Sequence, residues 1–274
     1  MPELYRVKAY NTATESENRI HADDVAKEFG FRGGLVPGVD VYAYMTHPPA
    51  ALWGRDWLEY GTMQARFVKP VYDGEWASVE MGDPVTSDGV IAASLSVHDD
   101  HGDLCATGYA GMPAERPTAC GPESDPVRYP SAPLPTRVPP VSEAALLAAD
   151  PMGSLEAGFH ADLAGAYLAD VREELAIYRD EAIAHPGWLL RTANHLLASN
   201  VVLGPWIHVE SSVRHLGLVH DGDRVSTRGR PQSVFERKGH RLVTLDVLIV
   251  ANESRPVMQV THTAIFEPRR SGRS

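Results

Sequence analysis

The chain carries one pattern twice. Residues 35–75 begin LVPGVDVYAYMTHPPAALWG and close on RFVKPVYDGE, while residues 184–223 begin AHPGWLLRTANHLLASNVVLG and close on RHLGLVHDGD. In each copy a Pro-Gly pair opens a helical pattern, and an Asp-Gly pair follows 36 positions after Pro37 in the first and 35 after Pro186 in the second. Matched order and matched spacing together point to an internal repeat, so the chain must fold as two equivalent units. After each Asp-Gly come apolar runs at strand period. The first copy gives WASVEMGDPV, VIAASLSVHDD and LCATGYAGM; the second gives RVSTRGRPQSVFER, RLVTLDVLIVAN and PVMQVTHTAIFEP. Each half therefore reads as one helix followed by an antiparallel meander. TMQARFVKPV and IHVESSVRHLG supply the strand that leads into it, and YRVKAYN adds an edge strand to the first copy.

The helices are amphipathic. Val39, Tyr42, Ala43 and Thr46 form one stripe, and Trp188, Ala193, Leu196 and Leu197 a similar one. Such a helix has to bury its stripe on a sheet, and two sheets built this way can pair edge to edge. Between the copies, ERPTACGPESDPVRYPSAPLPTRVPP is dense in proline, which lacks an N–H and fixes φ, so it reads as a linker. The expected organisation is an N-terminal unit over 1–115, a Pro-rich linker over 116–152 and a C-terminal unit over 153–274. The stretch DLAGAYLADVREELAIYRDE, residues 162–181, reads as one amphipathic helix with Leu163, Ala166 or Tyr167, Val171 and Leu175 on its buried face.

Composition removes several functional classes. With 43% hydrophobic and 22% charged residues a substantial core can form. A formal net charge of -11 and the lack of a Lys/Arg run argue against a nucleic-acid partner. No segment approaches the roughly 20 apolar residues of a membrane helix, and MPELYRVKAY lacks the apolar core of a signal peptide, so no membrane association and a cytoplasmic location are expected. The terminal RRSGRS is expected to fray. Cys105 and Cys120 are too few for a disulfide framework. Eight histidines lie in the second half, but none has the spacing of a zinc site, and neither a dinucleotide fingerprint nor a phosphate loop is present; no metal and no cofactor is expected.

The chemistry concentrates in SENRIHADDVAKEFGFRGGLVPG, residues 16–38, where a polar loop precedes a short helix starting at Asp23 or Asp24 and a glycine-rich turn into the next helix. One reading is a loop whose Ser and Asn bond their own backbone. The stretch also resembles the signature of the hydratase-2 or MaoC-like family, in which an Asp, an Asn-Pro pair and a His precede an apolar helix and a Gly-containing turn. The resemblance implies an α+β fold in tandem (double) hotdog form, two antiparallel sheets each wrapped around a central helix. It covers the first half well and the second only by architecture, so the second half is expected to be a degenerate copy that widens the acyl tunnel.

What the resemblance implies for activity is the (R)-specific hydration of trans-2-enoyl thioesters, or the reverse dehydration, by a lyase acting on an acyl-CoA or acyl carrier protein thioester. His21 then serves as acid/base, Asn18 holds the loop or the water, and Gly38 and Val39 present backbone N–H groups to the thioester oxygen. The sequence departs from the family at Ser16, which stands where the Asp is expected, and at Arg19, which replaces the Pro. A serine hydroxyl orients water without taking its proton, so Glu17 becomes the candidate carboxylate and Glu15 a weaker one. Two alternatives stay open: a hotdog thioesterase in which Glu17 or a second-half carboxylate activates water, and a non-catalytic acyl-thioester binding protein. Arg224, Arg228, Arg230, Arg237, Lys238 and Arg241 are candidates to meet a CoA or carrier phosphate, or else form a solvated hairpin face. Sheet edges leave a homodimer as one arrangement of the chain.

Overall fold

The computed structural model describes residues 4–118 and 120–269; positions 270–274 of the terminal RRSGRS lie outside the described residues. The first half contains strand β1 (Leu4–Lys8), helix α1 (Asp23–Glu28), helix α2 (Gly38–Tyr60) and strands β2 (Thr62–Phe67), β3 (Trp76–Met81), β4 (Val85–Ser87), β5 (Val90–His98) and β6 (Leu104–Pro113). The second contains α3 (Glu143–Ala148), β7 (Leu155–Gly158), α4 (Ala161–Asp170), α5 (Ile177–Asp180), α6 (Pro186–Asn200) and strands β8 (Ile207–His215), β9 (Arg224–Arg237), β10 (His240–Ala251) and β11 (Arg255–Glu267).

All pairings between these strands are antiparallel, and the order β1-β3-β5-β6-β2-β8-β11-β10-β9-β7, with β4 beside β5, makes one continuous sheet. The two halves meet where β2 pairs β8, with Met63 opposite Val213 and Gln64 opposite Ser212. This edge-to-edge junction is the tandem hotdog arrangement expected from the repeat. The sheet curls around α2 and α6, which lie against each other with Tyr42, Met45, Trp57, Leu190 and Leu196 fully buried. Burying side chains of this size, at about 1.5–3 kcal/mol each, is the main force that holds the helices on the sheet.

Helix α2 includes Pro48 and Pro49 and is interrupted at Gly54, whose backbone (φ 59°, ψ −143°) is not helical. The N-terminal four turns therefore form the true central helix. The proline-rich connection does not hang free. It crosses the outer face of the second half, where Tyr129 packs on Leu248 and Val250 and donates to Asp246, and Ser124 donates to Gln259.

The single helix expected over 162–181 is not formed. It breaks between α4 and α5: Arg172 takes a left-handed φ of 57°, and the Glu173 N–H turns back to the Leu168 carbonyl. Leu163, assigned to the buried face, is 69% exposed. The cause is Glu173, whose buried carboxylate accepts from His47 Nδ1 at 2.9 Å and faces His185 Nε2 at 3.7 Å. A charge in the interior is tolerated only with partners, and outside the helix this carboxylate also accepts from the Leu175 N–H at 2.7 Å.

Candidate active site

The loop before α1 is folded by its own amides. Asn11 donates to the His21 carbonyl (2.9 Å), and Asn18 caps a single 3-10 turn at Arg19–His21. Asn18 is fully engaged. Its Oδ1 accepts from the N–H of Ile20 (3.4 Å) and of Trp206 (3.2 Å), while Nδ2 donates to the Trp206 carbonyl (2.9 Å) and lies 3.3 Å from His21 Nε2. Only one orientation of the amide satisfies both Trp206 groups, so the partner of Asn18 on His21 must be a lone pair.

The other ring nitrogen agrees. His21 Nδ1 lies 2.7 Å from the Leu35 carbonyl, an acceptor only, so Nδ1 carries the proton and Nε2 is bare. Burial pushes the His21 pKa below the ordinary histidine value, against opposing contributions from the Leu35 carbonyl and Asp40, and the neutral imidazole is favoured. Gly34 makes this packing feasible, since a Cβ there would fall 2.0 Å from the His21 carbonyl oxygen.

Helix α2 begins beside this ring. The Asp40 and Val41 N–H groups both return to the Pro37 carbonyl, which leaves the N–H groups of Gly38 and Val39 without a partner among the described residues. These two amides carry the positive end of the helix dipole. A Cβ at Gly38 would meet His208 Nδ1 at 2.9 Å, so only glycine fits. His208 is itself held from behind. A bulge at Val209 in β8 brings His208 and Ser211 to one face, and the chain His208 Nε2–Ser211 Oγ (2.8 Å)–His262 Nδ1 (3.0 Å) follows, with burial holding both rings neutral.

Two cavities meet at this point. One of about 500 Å³ is lined by Ser16, Glu17, Val39, Arg191 and His195; the other, of about 240 Å³, by Gly38, Val41, Phe67, Lys69 and His208. Asn18, His21, Pro37, Asn194 and Trp206 line both. All six residues singled out from the sequence thus border one or other of these adjoining cavities, though not alike. Ser16 donates to the Asn18 carbonyl (3.2 Å), and Glu17 is exposed at the rim with no hydrogen bond to His21.

Several residues in and behind the cavity wall escaped the sequence reading. Asp40, fully buried in the first turn of α2, accepts from Thr12 Oγ1 (2.6 Å) and pairs with Arg191 Nη2 (2.7 Å) of α6. A carboxylate among the apolar residues that open α2 was the available signal, since a buried charge demands a partner. Asn194 and Trp206 gave no such signal.

The second helix tip is different. At α6 the Gly187 N–H is taken by His185 Nδ1 (3.0 Å), and a Cβ at Gly187 would lie 2.3 Å from the Tyr167 hydroxyl. No space remains there for a carbonyl. The basic residues of β9 and β10 are largely spoken for: Arg228 is buried on the carbonyls of Tyr129 and Glu253, Arg230 faces Asp246, and Arg241 pairs with Glu143 and Glu267.

No family model and no curated protein matches the sequence. Solved structures do match the fold. A MaoC-like dehydratase aligns with a TM-score of 0.61 at 13% identity over 96% of this chain and 98% of its own. A Mycobacterium tuberculosis protein with a double hotdog fold aligns at 0.56 and 14% identity over 96% of each chain. An acyl-ACP thioesterase from Bacteroides thetaiotaomicron aligns at 0.50 and 12% identity, over 96% of this chain and 97% of its own. The chain has the double hotdog fold, which dehydratases and thioesterases share.

Proposed function

We propose that the protein adds water to trans-2-enoyl thioesters, or removes it from the 3-hydroxyacyl product, with the (R) configuration of the MaoC-like enzymes it resembles. One observation carries this reading: His21, whose Nε2 is unprotonated, lines both adjoining cavities, while Gly38 lines the smaller and Val39 the larger, each with its N–H unpartnered among the described residues. A thioester oxygen placed at the α2 tip accepts from those two amides, and the helix dipole stabilises the enolate charge that develops there. With the 3.3 Å contact from the Asn18 amide exchanged for water, His21 Nε2 takes a proton from that water as the water oxygen bonds to C3. The protonated ring delivers that proton to C2, so one water is added across the double bond and the ring returns to neutral. Asn18 keeps the imidazole and the second half in register.

The proposal is tested by following the loss of enoyl absorbance with trans-2-enoyl-CoAs of several lengths. Turnover that disappears in His21→Ala supports it; turnover by neither protein, or equally by both, removes it. Ser16 in the family's Asp position is the feature that favours a non-catalytic acyl-thioester binding protein; the second enzymatic reading is a thioesterase, with Glu17 at the rim of the larger cavity as its carboxylate. Release of free thiol without loss of the enoyl chromophore would select it.

A further inference from the structure

The larger cavity holds a cation that the hydration chemistry does not use. Arg191 projects from α6 into it, three residues before Asn194, which lies at the junction of the cavities. Its Nη2 is bound to Asp40 at 2.7 Å and approaches Thr12 Oγ1 at 3.4 Å, and its guanidinium lies 4.7 Å from the centroid of the Tyr167 ring. Those contacts fix the plane of the group. They leave Nε and Nη1 without a protein partner among the described residues, and the side chain is 25% exposed. A guanidinium held this way presents donors in the fork geometry that matches a carboxylate.

The charge around the two mouths assigns the limbs. The smaller cavity opens beside Lys69, which also pairs with Asp103 at 2.9 Å, and His240, near Lys238 and Arg269. The rim of the larger one carries Glu17, Val202 and Gly204. A phosphate-bearing carrier meets more basic groups at the first mouth than at the second. The acyl group therefore enters the larger cavity, where Thr12, Arg191, Asn194 and His195 line one side. A plain alkyl tail would strip water from these groups and return nothing.

Building on the hydratase reading, we propose that Arg191 binds a carboxylate on the acyl group, so that the substrate is the monothioester of an unsaturated dicarboxylic acid. The test uses the intact protein and two trans-2-enoyl-CoA thioesters of equal length, one ending in a carboxylate and the other in its methyl ester. The acid is expected to exceed the ester in kcat/KM by about a hundredfold or more, as sites built to pair a polar group discriminate. Arg191→Lys is expected to reduce the ratio and Arg191→Gln to bring it close to unity. Because Arg191 also neutralises buried Asp40, the paired change D40N/R191Q removes both charges at once and guards against a misfolded single variant. Calorimetric binding of the saturated acid and ester thioesters gives the same ratio without turnover. Equal or better use, or binding, of the ester overturns the assignment of Arg191 even if hydration is seen. A binding preference for the acid without turnover keeps the assignment and removes the hydratase reading.

Discussion

The Asn18 side chain grips both backbone polar groups of Trp206, 188 positions away, while its amide faces the bare nitrogen of His21. One residue thus ties the loop of the first half to the strand junction of the second and fixes the ring to which the proposed function gives the proton transfer. Asn18→Ala leaves the Trp206 N–H and carbonyl unpaired and is expected to cost about 1–3 kcal/mol, read as a lower denaturant midpoint at unchanged m. Activity should fall further than stability, because the His21 ring also loses its orienting neighbour.

The pH dependence of activity follows from the direction of the His21 shift. Burial disfavours the imidazolium, and the neutral ring is the form that accepts a proton from water. The kcat/KM of hydration is therefore expected to fall only at pH below the ordinary histidine value of about 6.5 and to stay level above it. An acid limb centred above that value would assign the proton transfer to another group.

Gly38→Ala puts a methyl within 2.9 Å of His208 Nδ1 and pushes the α2 tip away from the cavity junction. Loss of aligned oxyanion donors typically costs about 10²–10³ in kcat. The expected signature is a drop in kcat with KM little changed, measured by initial rates. Gly187→Ala, at a tip already capped by His185, should instead lower stability and leave kcat nearly intact.

Ser16 occupies the place where the resemblance asks for a carboxylate, and its hydroxyl is spent on the Asn18 carbonyl. Ser16→Asp is expected to raise the hydration rate by about tenfold or more, within the range that a positioned acid or base supplies. Ser16→Ala should change it little. Equal rates in all three proteins would show that position 16 takes no part.

Acid stability has two sources with the same sign. His215 and His262 are buried and held neutral, lowered to about 4 and about 3, so stability that is full above the unfolded value of about 6.5 is lost as pH falls toward those folded values. Glu173 is held well below the usual carboxylate range by His185 and His47 against the cost of its burial. Its contribution is present above about pH 4.3 and is lost below it. Chemical denaturation between pH 7 and pH 3 should show a continuous decline, and Glu173→Gln should be less stable at pH 7 while flattening the part below pH 4.3.

The repeat, the meanders and the helix starts were legible because each is a local pattern: alternation, a Pro-Gly pair, an Asp-Gly turn. The motif loop was legible for the same reason, as Asn18 and His21 are neighbours in sequence. The opposite wall was not. Which side of α6 faces the cavity depends on the β2–β8 pairing, and the Asp40–Arg191 contact spans 151 positions. The broken helix at 171–176 shows the same limit, since its apolar spacing is sound and only the distant His47 and His185 explain why Glu173 leaves it.

The most direct measurement is a crystal structure with an unreactive acyl-CoA thioester bound. The thioester oxygen is expected within hydrogen-bond distance of the Gly38 and Val39 N–H groups, with C3 and one water on the Nε2 side of His21. A thioester bound away from the α2 tip, or an imidazole that shares no water with it, would contradict the account.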